Sequence, residues 1–379
     1  MSVEQEIVVL SDLHMGARRA GLDAPDPFAD DEALSGLLHH LAGRPAQQGR
    51  SLRVILLGDI VDFVLVGVGE APYDRSARAA RRDLEAIAAA HPAVFAALGR
   101  LAATACVEVD VVPGNHDMEL ALPGVTAHLG SLAAAAAQRP DARAALRVAP
   151  WLVHVPGVLH AEHGQQHHYL NRFVDLAAVA AGLDDDLRRL PPAAHVDALL
   201  AARAAGVGAR SVAGTLAGAV PRLLMSAWTM GRARRHAPLP LPLPLPLPCA
   251  GALSPALLHE LERASAVGPA APARRLARQA LARSTRRAAL DLRPAALGTH
   301  AVLTRHGRPV PYVVFGHTHA PLDEPLCAGA RHLNAGTWSV MGPGAGARTI
   351  VRVVAGGRGE AARAQLERWD AERHVLVAA

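Results

Sequence analysis

Ile7-Val8-Val9-Leu10-Ser11-Asp12-Leu13-His14 is the stretch on which the reading of this 379-residue chain turns. Four apolar residues, enough for a short buried strand, stop abruptly at Ser11-Asp12, so the strand would hand polar side chains to a loop at its carboxyl tip. The pattern recurs along the chain. Leu52 to Leu57 ends in Gly58-Asp59, Val107 to Val112 in Pro113-Gly114-Asn115-His116, and Val310 to Phe315 in Gly316-His317-Thr318-His319. Val153 to His160 leads into Ala161-Glu162-His163-Gly164. Between the first strands, Asp30, Asp31 and Glu32 open a helix predicted through Leu41, since acids suit a helix N-terminus. A longer Ala/Arg-rich helix is predicted from Arg75 to Leu101. Strand, helix, strand, helix, strand is the rhythm of an α/β core with parallel strands, whose ligand-binding edge is the carboxyl edge. Segments after Arg331, including Thr349 to Val354, predict the strands of a second sheet.

Composition narrows the class. Aromatics make up 3% of the chain, so the core must be built from Val, Leu, Ile and Ala. All 39 basic residues are Arg; against 34 acids they leave a net charge of +5 and a pI near 9.8. Such a surface favours anionic partners or is simply solvated. Three widely spaced cysteines, Cys106, Cys249 and Cys327, suit reduced thiols and a cytoplasmic location better than a disulfide framework. The polar start, Met1 to Glu6, has no export-signal pattern.

The strand-end clusters supply one kind of atom: carboxylate oxygen, imidazole nitrogen and an amide oxygen. In an extended segment residues i and i+2 point the same way, so Asp12 with His14, and His317 with His319, would each reach one ion. Mixed oxygen and nitrogen donors without thiolate suit Mn, Fe, Zn, Co or Ni, and affinity order alone does not choose among them.

Asp12-x-His14, Gly58-Asp59-x-x-Asp62, Gly114-Asn115-His116-Asp117, His163-Gly164 and Gly316-His317-x-His319 together resemble the signature of the calcineurin-like metallophosphoesterases, across about residues 6–340 but not the region between. The resemblance implies a four-layer α/β/β/α sandwich of two mixed sheets, carrying here an inserted helical cap. It implies two divalent metal ions, manganese serving in vitro. Asp12, His14, Asp59 and His319 would hold one, and Asp59, Asn115, His163 and His317 the other, with Asp59 bridging. Water activated between the ions would attack phosphorus. His116 would protonate the leaving oxygen and, with Asn115, meet the substrate, while Asp117 orients the His116 ring and Asp62 supports the ligands from behind. A partial resemblance to UDP-2,3-diacylglucosamine hydrolases suggests a small or lipid-linked phosphate ester or pyrophosphate. Those enzymes carry Arg where His116 stands and Glu where Asp62 stands.

Three regions follow: core 1–168, insertion 169–300, core 301–379. The insertion is Ala/Leu/Arg-rich with helical spacing, and is divided by a Pro-Leu alternation at 238–248 that reads as a polyproline spacer. Arg172, at its start, is a candidate phosphate clamp, and His167 and His168 read as surface histidines within reach of substrate. Asn334 reads as a turn residue or a support of the site. Residues 212–231 are apolar but broken by Pro221-Arg222, and Arg274, Arg275, Arg278, Arg283, Arg286 and Arg287 form a basic stripe. Either could rest on an anionic membrane at its inner face, without spanning it. A nuclease of the same fold and a scaffold without catalysis are the competing readings. Nucleic acid is not expected as partner, because aromatics for base stacking are nearly absent from the insertion, and the oligomeric state is not legible.

Overall fold

The computed structural model describes residues 5–17, 26–66, 76–149, 151–168, 171–173, 253, 257–258, 260–261, 291–356 and 361–379. In chain order the first strands are β1 (Gln5–Leu10), β2 (Ser51–Leu57), β3 (Val107–Val112), β4 (Leu146–Val148), β5 (Leu152–Val155) and β6 (Leu159–Glu162). The later ones are β7 (Tyr312–Phe315), β8 (Leu322–Pro325), β9 (Arg331–Asn334), β10 (Thr349–Val354), β11 (Arg363–Asp370) and β12 (Val375–Ala378). The longer helices are α1 (Asp31–Gln48), α2 (Ala77–Ala90), α3 (Pro92–Ala102), α4 (Pro123–Ala137) and α5 (Arg293–Arg305).

Two sheets result. The first has seven strands in the order β12-β11-β10-β1-β2-β3-β4, and the second five in the order β5-β6-β7-β9-β8. β1 to β4 run parallel, whereas β10, β11 and β12 join antiparallel, so the first sheet is mixed. The second is mixed too, with a parallel centre of β6, β7 and β9 between antiparallel edges.

Side-chain alternation explains why the central strands read as continuous apolar runs: both faces are covered. Ile7, Val9, Ile55, Leu57, Val112 and Val351 face the second sheet, where Val153, Leu159, Ala161, Val314 and Leu333 meet them in one buried cluster. Val8, Leu10, Val54, Leu56, Val109 and Val111 belong to the other cluster, with Leu34, Leu37 and Leu41 of α1, Val94 and Leu98 of α3, and Leu129 of α4. On the second sheet, Val313 and Phe315 join Ala296, Val302 and Leu303 of α5 in that same cluster. The layers are therefore helix, sheet, sheet, helix, as expected.

Three element boundaries differ from expectation. The first helix runs past Leu41, through Pro45, to Gln48, and ends on Gly49 at φ 64°, a left-handed stop that glycine takes without strain. The single helix expected from Arg75 to Leu101 is two, bent by 101° at His91. Pro92 forces the break by disfavouring helical geometry in the residue before it and starting α3 itself. Val153 to His160 is not one strand but the hairpin β5–β6, which reverses through a turn with Gly157 at φ 71°. α5 crosses the region boundary drawn at residue 300. The Pro-Leu stretch, the apolar stretch 212–231 and the basic stripe lie outside the described residues. No single helix among the described residues is long and apolar enough to cross a membrane.

The outer face of the second sheet buries an unusual pair. His154 and His160 lie opposite each other on β5 and β6, and neither nitrogen of His154 has a hydrogen-bond partner among the described residues. Burial, then the nearby His160 and Arg308, push His154 down to about 4. The unfolded chain, with an ordinary imidazole near pH 6.5, then binds more protons than the native one between these values. Stability should be full above pH 6.5 and fall as the pH drops toward 4. Urea midpoints at pH 7.5 and pH 5 should separate less in His154→Leu than in the natural sequence.

Candidate metal centre

The loops at the carboxyl edges of β1, β2, β3, β6 and β7 bring the polar clusters together. Among the described residues ten that are not glycine have positive φ, and five of these are Asp12, His14, Asp59, His317 and His319, at 52° to 67°. Asp and His tolerate this left-handed region better than most residues, and such strain gathers where function fixes the backbone. Asp12 and His14 do share one ion-holding group, but His317 and His319 fall into different ones, and the extended two-residue period is not what places them. Paired left-handed turns aim these side chains.

Backbone bonds lock the turns to one another. Asp12 N–H donates to Gly58 O at 3.0 Å and His14 N–H to Asp59 O at 2.8 Å. His116 N–H donates to Asp59 Oδ1 at 2.8 Å, and His317 N–H to Asp12 Oδ2 at 3.0 Å. Gly316 sits so tightly that a Cβ there would overlap Ser11 Oγ and crowd Asp12 Oδ2 at 2.7 Å.

Three histidines are held by one nitrogen and turn the other inward. His163 Nδ1 donates to Leu57 O at 2.8 Å, His319 Nδ1 to Met341 O at 3.0 Å, and His14 Nδ1 faces Asp62 Oδ2 at 3.0 Å. Anchoring of this kind sets the tautomer and ring direction of a metal-binding imidazole. The Nε2 atoms then meet the carboxylates. Asp12 Oδ1 is 3.2 Å from His319 Nε2, 3.9 Å from His14 Nε2 and 4.0 Å from His163 Nε2. Asp59 Oδ2 stands between the two halves, 3.2 Å from His163 Nε2 and 3.7 Å from His14 Nε2. Asp12, His14 and His319 form one potential ion-holding group, and Asp59, His163 and His317 another.

The donor set fits divalent cations. Among the described residues, Asp12 Oδ1, His163 Nε2 and Asn115 Oδ1 are buried without a well-formed hydrogen bond, as suits ligand atoms. Burial opposes the charged form of His163, yet the Asp59 and Asp12 carboxylates push it up to about 9. His317 lies at the other extreme, held well below its ordinary value by burial and by His163 and His168.

Two roles differ from the sequence expectation. Asp117 does not face the His116 ring. Its carboxylate accepts from the backbone N–H groups of Gly114 (2.6 Å), Ile60 (2.7 Å), Asp59 (3.2 Å) and Val61 (3.3 Å), tying the second and third loops together. Burial and the neighbouring Asp59 charge push it up to about 7, against those amides. The ring of His116 instead meets Asp62, with Nδ1 3.0 Å from Oδ2, the same oxygen that faces His14. Burial would raise Asp62, but His116 and His14 hold it below the usual carboxylate range. No sequence signal separates the two aspartates, each lying next to a strand-end loop.

His168 is buried, not at the surface. Its Nδ1 is 3.0 Å from His317 Nε2, which Asn171 Nδ2 also approaches at 3.2 Å. His167 turns the other way, to Glu162 Oε1 at 2.9 Å. Arg172 follows Asn171 in the same turn, its N–H on His168 O. Asn334 is a support of the site: its Nδ2 donates to Gly316 O at 2.7 Å and Thr318 Oγ1 at 3.1 Å, bracing the His317–His319 turn.

No family model matches the chain, and no curated protein matches it. Solved structures similar to it include a phosphopantetheinyl hydrolase from Mycobacterium tuberculosis, 13% identical over 89% of this chain and 93% of that one, with a TM-score of 0.29. A dimetal phosphatase from Danio rerio is 15% identical over 96% and 99% of the two chains, at a TM-score of 0.36. A 5'-nucleotidase precursor from Thermus thermophilus is 12% identical over 96% of this chain and 54% of its own, at 0.31.

The tight seat of Gly316 makes a direct check of the centre's architecture. Gly316→Ala should destabilise the protein by about 1–3 kcal/mol, as overpacking does, and should also lower the bound metal per chain measured by plasma emission spectroscopy.

Proposed function

We propose that this protein hydrolyses phosphate esters with the help of two divalent ions held by Asp12, His14, Asp59, Asn115, His163, His317 and His319. The observation that supports this best is the trio of anchored imidazoles, each held at Nδ1 and turned by Nε2 toward the buried carboxylates of Asp12 and Asp59. Bound there, two such ions make a strong nucleophile of water at neutral pH and balance charge on phosphoryl oxygens.

The chain's own residues supply the rest. Asp59 and Asp12 fix the spacing of the two halves of the centre. His116, with 18% of its side chain exposed, stands at the rim where a leaving oxygen would depart. The Asp62 carboxylate beside Nδ1 keeps that nitrogen protonated, so a proton exchanged with the leaving oxygen passes through Nε2. Asp62 thereby couples the acid to His14, one of the ligands, through a single oxygen. Asn115 Oδ1, buried between Gly114 and His116, is placed for an ion or a phosphoryl group.

For substrate we propose a small or lipid-linked phosphate ester or pyrophosphate. Phe173 and Leu292, near the two ends of the 169–300 insertion, both lie against the segment that follows His163. Phe173 is clasped by Gln166, and Leu292 Cδ1 lies 3.1 Å from where a Cβ on Gly164 would stand. An insertion rooted there is suited to select what reaches the ions. Manganese in vitro, a cytoplasmic location and contact with an anionic membrane face belong to the same proposal.

Incubation of the Mn²⁺-loaded protein with monoesters, diesters, nucleotide pyrophosphates and nucleic acid should give turnover of a phosphate ester that is lost on chelation and restored by Mn²⁺. Loss of all turnover with both ions bound would refute the reading. His116→Ala should lower kcat by about 10²–10⁴, the worth of a positioned general acid, with metal content unchanged. Asp62→Asn should also lower kcat and move the acid limb of the pH–rate profile, whereas Asp117→Asn should reduce thermal stability more than it moves that profile.

A further inference from the structure

Away from the ions, His91 occupies the corner where α2 ends and α3 begins. Its backbone serves both helices, N–H donating to Ile87 O at 3.0 Å and O accepting from Phe95 N–H at 3.2 Å. The buried ring faces only oxygens. Nδ1 lies 2.9 Å from Asp31 Oδ1, and Nε2 lies 2.9 Å from Gly16 O and 3.0 Å from Asp26 Oδ2. Ionised carboxylates and carbonyls only accept, so each nitrogen carries a proton and the ring sits there as imidazolium. Burial opposes that charge, but the bonds to Asp26 and Asp31 outweigh it and raise His91 above its ordinary value. Among the described residues these two carboxylates are the charged groups that face the ring, and Phe28 packs edge-to-face against it at 5.5 Å.

The parts fastened by this imidazolium lead to one place. Asp26 Oδ1 accepts from Gly16 N–H at 3.1 Å and from Phe28 N–H at 2.9 Å. Gly16 is thus held at both its N–H and its carbonyl, two residues beyond His14. Next to Asp26, Pro27 O accepts from Val340 N–H at 2.9 Å. Val340 adjoins Met341, whose carbonyl holds His319 Nδ1 at 3.0 Å. The same loop presses on His319 directly, since a Cβ on Gly342 would stand 2.6 Å from the His319 Cβ. His14 and His319 belong to one ion-holding group, which Asp12 completes.

We propose that His91 is a positioning residue for the ion taken by Asp12, His14 and His319. It acts by two routes, one through Gly16 to His14 and the other through Asp26, Pro27 and Val340 to His319. The inference rests on the two-ion reading and deepens it, because it makes the two ions unequal toward pH. Below about pH 6.5 the bonds of His91 are complete. As the pH rises through the raised native value a proton leaves, one of those bonds is lost, and the hold on this half slackens. The half with Asp59, His163 and His317 is not fastened in this way and does not respond. His91 lies outside every strand-end cluster, so only the tertiary structure connects it to the centre.

Chelator competition with Mn²⁺ from about pH 6 to about pH 9 tests this without reliance on turnover. Ligand deprotonation strengthens both ions as the pH rises, so the quantity to read is the ratio of the two affinities. The carbon-bound protons of His91, followed by NMR in the Zn²⁺-loaded protein, report its own titration. The natural chain should bind two ions, with the ratio shifting against one of them at the pH where His91 titrates. His91→Gln should weaken that ion about tenfold, leave the other unchanged and abolish the shift, with circular dichroism unchanged. Asp31→Asn, at a side chain 36% exposed, is the second variant, and should lower the His91 titration and the pH of the shift together. His128→Gln, whose ring pairs with Glu85, should change neither. An unchanged ratio in folded His91→Gln would overturn the proposal, as would equal weakening of both ions, which would make His91 a general support of the fold. Failure of the natural chain to bind any ion would instead remove the two-ion reading itself.

Discussion

Asp12 Oδ1 and His163 Nε2 lie 4.0 Å apart, fully buried, and among the described residues neither makes a well-formed hydrogen bond. Leaving a polar atom in that state costs about 1–3 kcal/mol, and more when it carries charge. Five left-handed residues around the same point add backbone strain. A chain that keeps such a concentration of unfavourable terms in its interior requires something to offset them. Divalent cations do so in one step, by satisfying the lone pairs and neutralising the carboxylates.

The rest of the molecule is organised to hold that arrangement still. The core between the sheets fixes the ends of β1, β2, β3, β6 and β7 relative to one another, and the loops are then sewn together by polar bonds. Asp117 accepts from four backbone amides of the second and third loops. Asn334 braces the fifth from the end of β9. Asp62 shares one oxygen between His14 and His116, so the ring that would move a proton and the ring that would hold an ion answer to the same carboxylate. Preorganisation of this kind matters because a misplacement of about 1 Å can lower a rate a hundredfold.

Phe173 and Leu292, near the two ends of the insertion, both lie against the segment that follows His163. Asn171 stands at the insertion's start and His168 immediately precedes it, and both reach His317.

Much of this was legible in the sequence. Apolar runs that end in Asp, Asn and His announce buried strands with polar tips, and period-two burial on both faces follows from their unbroken hydrophobicity. The residue types and order of the strand-end clusters announced mixed oxygen and nitrogen donors, and the seven proposed ligands were named through the resemblance those clusters carry. Other features required the tertiary structure. Whether Asp62 or Asp117 meets His116 depends on how two loops cross, since both aspartates sit at similar distances along the chain from their strands. That Asp12, His14, His317 and His319 converge through left-handed turns is set by bonds such as Asp12 N–H to Gly58 O, between segments 46 residues apart. His168 read as a surface residue because its partner, His317, lies 149 positions away. Local pattern determines which side chains are polar and where a strand stops; only packing of distant loops decides which of those side chains share a point in space.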